Sequence, residues 1–158
     1  MSRSPPPTPS ELVTFSPAEA NDFEVLVTLR IEAMRESLER VGRFDPERAR
    51  ERFLSGFSPA HTRHIEFGCK RVGFFVVKPQ ANELLLDHLY VHPNYQGKGI
   101  GGAVLAKVFA EADQSGFTVR VGALRESGSN RFYSERGFQL VEQTDFDNYY
   151  VRSAKNAL

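Results

Sequence analysis

The chain has 158 residues, 20 Lys and Arg against 20 Asp and Glu, and a single cysteine, Cys69. Its length holds one domain with a real core and excludes two ordinary ones. Formal neutrality argues against a nucleic-acid or membrane-surface binder, and a lone cysteine excludes an internal disulfide, so a reducing, cytoplasmic setting is expected.

Residues 1–10, MSRSPPPTPS, are polar and proline-rich and lack the apolar centre of a signal peptide; they read as a disordered tail. Residues 11–158 read as one folded domain. No apolar stretch approaches the roughly 20 residues that span a bilayer. Glu11 to Phe15 fits a short strand. Ser16-Pro17-Ala18-Glu19 carries a helix-start pattern, with Ser as N-cap, Pro at the first position and Glu at the third. Phe23, Leu26, Val27, Ile31, Met34 and Leu38 then share one face of a helix reaching Arg40. Asp45-Pro46 starts a second helix that ends near Gly56.

Three strand-like runs follow: Thr62 to Phe67, Val72 to Lys78 and Glu83 to Val91. The first two join through Gly68-Cys69-Lys70 as an antiparallel hairpin. Ala103 to Ala112 is helical and stops near Gly116. Phe117 to Leu124 is a strand, Ser129 to Arg136 a short helix, and Phe138 to Gln143 and Tyr149 to Arg152 are the last strands. No repeat and no linker divides the chain.

Gly97, Gly99, Gly101 and Gly102 crowd the joint between the third of those strands and the helix after it. Unpaired N–H groups and the positive end of a helix dipole make an anion site there, and glycine lets a phosphate reach the backbone. Lys98 adds a positive charge. The alternative is a turn that merely packs a helix on a sheet. Gly97, Gly99 and Gly102 formally satisfy the dinucleotide fingerprint, with Glu126 near the acidic ribose position. Residues His92 to Gln96 intervene between strand and glycine, however, and too few parallel strands follow. The Gly-Lys-Ser/Thr ending of a P-loop is missing as well.

Gln96-Gly97-Lys98-Gly99-Ile100-Gly101 matches Q-x-x-G-x-G, and Phe132-Tyr133-Ser134-Glu135-Arg136-Gly137-Phe138 matches F-Y-x-x-x-G-F. In that order and separation the two segments resemble the GCN5-related N-acetyltransferase family. The resemblance implies an α/β fold, a single domain with a mixed β-sheet flanked by helices. It implies acetyl-CoA as cosubstrate, without a metal, and direct transfer of the acetyl group to a primary amine of a small molecule or peptide. A non-catalytic acyl-CoA-binding module is the alternative. The implied partners are acetyl-CoA and the amine, with no nucleic acid or membrane, in a monomer or homodimer.

Carried over to this chain, backbone N–H groups of Gly97, Lys98, Gly99, Ile100, Gly101 and Gly102 hold the pyrophosphate, with Gln96 opening the loop. Leu89, Tyr90 and Val91 pair with the pantetheine arm as an added strand. Asn130 stands later than the family's usual asparagine, and Ser127 is an alternative to it.

Acyl transfer needs a polarised carbonyl, a base for the ammonium and an acid for the thiolate. Backbone N–H groups near Val91 are candidates for the first. Tyr133 is the acid that the resemblance implies, although its spacing also fits a core aromatic. For the base, Glu83 and His88 are candidates on the strand leading to the loop, with Asp87 nearby and water as the alternative. Strict alternation puts Glu83 and Asp87 opposite His88. His61, His64 and His92 lack metal-ligand spacing. Arg30, Met34, Arg35 and Phe44 are candidates for the acceptor pocket.

Overall fold

The computed structural model describes residues 12–40 and 42–155; the expected tail, residues 1–10, lies outside them. Seven strands form one mixed sheet: β1 (Val13–Pro17), β2 (Thr62–Phe67), β3 (Lys70–Gln80), β4 (Glu83–Val91), β5 (Thr118–Leu124), β6 (Gln139–Gln143) and β7 (Asp147–Arg152). Their order is β1-β2-β3-β4-β5-β7-β6. Only β4 and β5 run parallel, because the helix between them carries the chain back across the sheet.

Helices α1 (Phe23–Arg40) and α2 (Pro46–Gly56) cover one face, and α3 (Ile100–Ser115) and α4 (Ser129–Ser134) the other. Leu26, Val27, Phe53, Phe74 and Val76 fill the first layer. Val104, Leu105 and Val108 meet Leu86, Val119 and Val121 in the second. Asp45 starts α2 by accepting the Arg48 N–H at 3.2 Å, with Pro46 behind it.

The first helix begins later than its sequence pattern suggests. Ser16 and Pro17 complete β1 instead, opposite His64 and Arg63 of β2. The Ser16 hydroxyl is spent on the Glu66 carboxylate. On an edge strand the missing proline N–H costs no ladder bond. A short 3₁₀ turn, Ala20–Asp22, then leads into α1, and the Asp22 carboxylate accepts the Glu19 N–H at 2.8 Å.

A bulge in β4 has the largest consequence for the site. Val76 faces His88, but Val77 faces Leu86, so Asp87 is the extra residue. Before it, Leu84 and Leu86 point into the α3 layer; after it, Leu89 and Val91 do. Alternation therefore slips by one. The expected separation of Glu83 from His88 is corrected accordingly. Glu83 pairs with Arg120, whose neighbours Val119 and Val121 face α3. It thus shares with His88 the face covered by α1 and α2.

Candidate functional site

The parallel ladder of β4 and β5 runs from Glu83↔Thr118 to Leu86↔Val121 and ends there, although both strands continue. The bulge turns β4 aside at that point. The strands part, and a cleft of about 710 Å³ opens between them. Leu89, Tyr90, Val91 and Gln96 line one side; Val121 to Leu124, Ser127 and Tyr133 line the other.

The phase of the β3–β4 ladder decides which backbone groups face the opening. His92 N–H bonds the Val72 carbonyl at 2.7 Å. Bonded pairs alternate in an antiparallel ladder, so Tyr90 and His88 spend their backbone groups on Phe74 and Val76. Leu89 and Val91 turn theirs toward the gap that β5 has left. The Val91 carbonyl is already taken, by Gln96 Nε2 at 2.8 Å. Gln96 thereby ties the loop to the strand end. The Leu89 N–H and C=O and the Val91 N–H remain for an extended ligand, whereas Tyr90 contributes its side chain.

In the glycine loop, Gly97 (φ 77°) and Gly99 (φ 81°) occupy the left-handed region. Gly99 is the N-cap of the 16-residue α3 and its carbonyl accepts the Ala103 N–H at 3.1 Å. Among the described residues, no acceptor meets the N–H groups of residues 97–102. That is a fitting cradle for a pyrophosphate. Gly101 is glycine for a different reason: a Cβ there would lie 2.9 Å from Cζ of Phe132. The close approach locks α4 to the first turn of α3.

Tyr133 on α4 is almost fully buried, with its ring against Phe132, Phe138 and Tyr150. Its hydroxyl has no partner among the described residues, yet it is not sealed off, because Tyr133 lines the cleft. Burial first, and then the Tyr90 phenol, push its pKa up, so the proton stays on throughout the neutral range.

Across the cleft, His88 lies among Phe53, Phe74 and Tyr90. Its Nδ1 is 3.2 Å from the Tyr90 hydroxyl and its Nε2 is 3.6 Å from the Asp87 carboxylate. Burial lowers its pKa to about 4; Asp87 opposes the shift, and the Arg30 and Lys78 charges add to it. The imidazole is therefore neutral at physiological pH. The Tyr90 hydroxyl also accepts from Arg30 Nε at 3.2 Å and lies 2.9 Å from Met34 Sδ.

Two expected site residues sit elsewhere. Glu83, at the other end of β4, does not line the cleft; its carboxylate is bidentate to Arg120 at 3.1 and 3.2 Å. Asn130 is used up internally. Its Nδ2 donates to the carbonyls of Leu124, Arg125 and Ser127, and its Oδ1 accepts from Asn148 and Tyr150. It fastens the loop after β5 to β7. Ser127, by contrast, does line the cleft.

Of the candidates for an acceptor pocket, Arg30, Met34 and Phe44 line the cleft, while Arg35 does not and lies over the Phe44 ring at 4.9 Å. Arg43, Arg48, Arg52 and Asp147, which no sequence motif singles out, also line it. The spacing of Arg48 and Arg52 from the Asp45 cap was the available signal.

Residues 61–140 match the family model described as "Acetyltransferase (GNAT) domain". An 82-residue segment is 32% identical to the [ribosomal protein bS18]-alanine N-acetyltransferase of Haemophilus influenzae, covering 51% of this chain and 55% of that protein. Among solved structures, PaiA N-acetyltransferase of Thermoplasma acidophilum in complex with coenzyme A superposes with TM-score 0.73 at 18% identity, over 89% of this chain and 98% of that one. A GNAT family acetyltransferase of Elizabethkingia anophelis with acetyl-CoA bound gives TM-score 0.63 at 16% identity, over 90% and 99%.

Proposed function

Because the chain belongs to the GNAT acetyltransferase family, we propose that it moves an acetyl group from acetyl-CoA directly to a primary amine. The observation that carries this reading is the open half of β4. Leu89 and Val91, with their free backbone groups, and Tyr133 border one cleft, and the bare N–H groups of residues 97–102 follow directly on Gln96, which lines it too. The coenzyme A and acetyl-CoA complexes of the two structural neighbours support the choice of cosubstrate.

The pyrophosphate rests on the N-terminus of α3, where Lys98 supplements the dipole. Leu89 and Val91 hold the pantetheine arm as a strand would. The Val91 N–H is the donor for the thioester oxygen as charge develops on it. Neutral His88 relays the ammonium proton, accepting on one ring nitrogen while the other faces the Asp87 carboxylate at 3.6 Å, from which the proton passes to solvent. The amine then forms a bond to the carbonyl carbon, the carbon–sulfur bond breaks as Tyr133 donates its phenolic proton to the departing sulfur, and the new amide nitrogen gives up its second proton to solvent. Solvent restores that proton.

Calorimetry with acetyl-CoA and NAD, then turnover against amines, amino acids and peptides, tests the reading. Binding of acetyl-CoA with thiol release on adding an amine is the expected result. Binding without release to any acceptor would make the chain an acyl-CoA-binding module.

A further inference from the structure

Arg48, Ala49 and Arg52 of α2 line the cleft from one helix face, with the N-cap residue Asp45 beside them. Arg30 of α1 and Arg43 of the α1–α2 loop join them. Several guanidiniums outside the cleft are paired with carboxylates: Arg50 with Glu24, Arg63 with Glu111, Arg120 with Glu83 and Arg152 with Asp113. Among the described residues, Arg43, Arg48 and Arg52 have no carboxylate within ion-pair distance. Three acids line the same cleft: Asp45 is committed to the helix cap, Asp87 lies 3.2 Å from Lys78 Nζ, and Asp147 forms no ion pair with these arginines among the described residues. Arg30 spends Nε on the Tyr90 hydroxyl and Nη1 on the Ala49 carbonyl, and keeps its second terminal nitrogen uncommitted among the described residues.

An uncompensated guanidinium group lining a substrate cleft is matched by a planar anion, which it grips through two parallel N–H donors. We infer that the acceptor is an amine whose own molecule carries a carboxylate, held by Arg48 and Arg52 with its amino group toward His88 and Tyr133. This rests on the acetyl-transfer reading of the cleft. The carboxylate comes either from a free amino acid or from an acidic side chain of a peptide.

Matched pairs separate these sources: alanine against alaninamide, and Ala-Glu-Gly-amide against Ala-Gln-Gly-amide. Each is measured both by calorimetry on the coenzyme A complex and by turnover. In one pair the carboxylate member should bind and react about tenfold better or more, mainly through KM, and the advantage should shrink in about 0.5 M salt. Which pair shows it identifies the source. In Arg48→Gln/Arg52→Gln the ratio within that pair should fall toward one, and in Arg48→Glu/Arg52→Glu it should invert. Equal behaviour of acid and amide in both pairs overturns the inference, as does a ratio that the double variants leave unmoved. Carboxylate-dependent binding without transfer sustains it while removing the transferase reading; transfer without carboxylate preference does the reverse.

Discussion

The two halves of β4 share a strand and differ in everything that matters for chemistry. From Glu83 to Leu86 the strand is paired on both sides, and its first residue is tied to Arg120. From Asp87 to Val91 it is paired on one side only and borders the cleft. One bulged residue separates the halves. A sheet is an inert scaffold while its ladder is complete, because every backbone group already has a partner. It becomes a binding element where a neighbour withdraws. On this reading, changes around the open half alter binding and rate, and changes in the closed half alter only stability.

The largest effect should come from Tyr133→Phe, which keeps the ring packing and removes one hydroxyl. With no partner for that hydroxyl among the described residues, its loss leaves no buried group there stranded, so the melting temperature should hold. Rate should fall by roughly 10²- to 10⁴-fold in kcat with little change in acetyl-CoA affinity. Thioesters with better leaving groups should suffer less. Full activity of the phenylalanine variant would leave Tyr133 a packing residue and deprive the cleft of its acid.

Next come two glycines that a motif treats alike and the structure separates. Gly99→Val forces a branched residue into left-handed backbone at the N-cap of α3 and disturbs the N–H cradle. Acetyl-CoA affinity should fall by roughly fivefold to thirtyfold if the strain of about 1–2 kcal/mol is relieved by moving the loop out of its binding geometry. Gly101→Ala instead drives a Cβ into the Phe132 ring. Its cost should appear first in thermal stability, on the order of 1–3 kcal/mol, with affinity affected only as α4 shifts. Calorimetry and melting curves on both variants check the division; identical profiles would show that one role serves both positions.

These residues also show what the sequence could and could not convey. The glycine loop and the tyrosine motif are legible because their roles depend on backbone freedom and residue type over a few neighbouring positions. The β2–β3 hairpin turn and the helix ends at Asp45 and Gly116 are legible for the same reason. The bulge at Asp87 is not, since ELLLDHLYV reads as one uninterrupted strand; only its pairing with β3 reveals the slip. That slip puts Glu83 and His88 on one face of the sheet; what separates them is position, since Glu83 is paired with Arg120 outside the cleft and His88 lines it. Ser16-Pro17 misled in the opposite way: a correct local helix signal lost to strand pairing across the sequence. Asn130 carries the right residue type for a ligand contact, and only its five hydrogen bonds show that nothing is left to offer.

His88 tests the open half through pH. As a relay it should cost roughly 10²-fold in kcat when changed to alanine, the low end of the range for proton-transfer groups because it is a weak base. With its pKa lowered to about 4, activity should persist well below the ordinary histidine value of about 6.5. The folded state binds this proton less readily than the unfolded chain. Its stabilising preference for neutral His88 is therefore complete above about pH 6.5 and is lost as pH falls from there through about 4. Denaturant melts at several pH values on wild type and His88→Phe should show a shallower acid slope in the variant. An unchanged slope would mean that His88 titrates normally and is not enclosed by Phe53 and Phe74.

The smallest effect belongs to the closed half. Glu83→Gln keeps the side-chain shape and removes the charge that faces Arg120. The pair is about one-third exposed on each side, at 36% and 32%, so solvent screens it and its loss should cost only about 0.2–1 kcal/mol. Arg120 holds the Glu83 carboxyl below the ordinary glutamate range. That increment is present above the unfolded-state pKa and fades as pH falls through the lower folded value. Turnover should change by less than about twofold, since a carboxylate outside the cleft cannot reach a proton on the acceptor. A loss of about 10²-fold in kcat with an intact fold would place Glu83 within the proton path, directly or through water. The division of β4 into a structural and a chemical half would then fail at the residue where it makes its plainest claim.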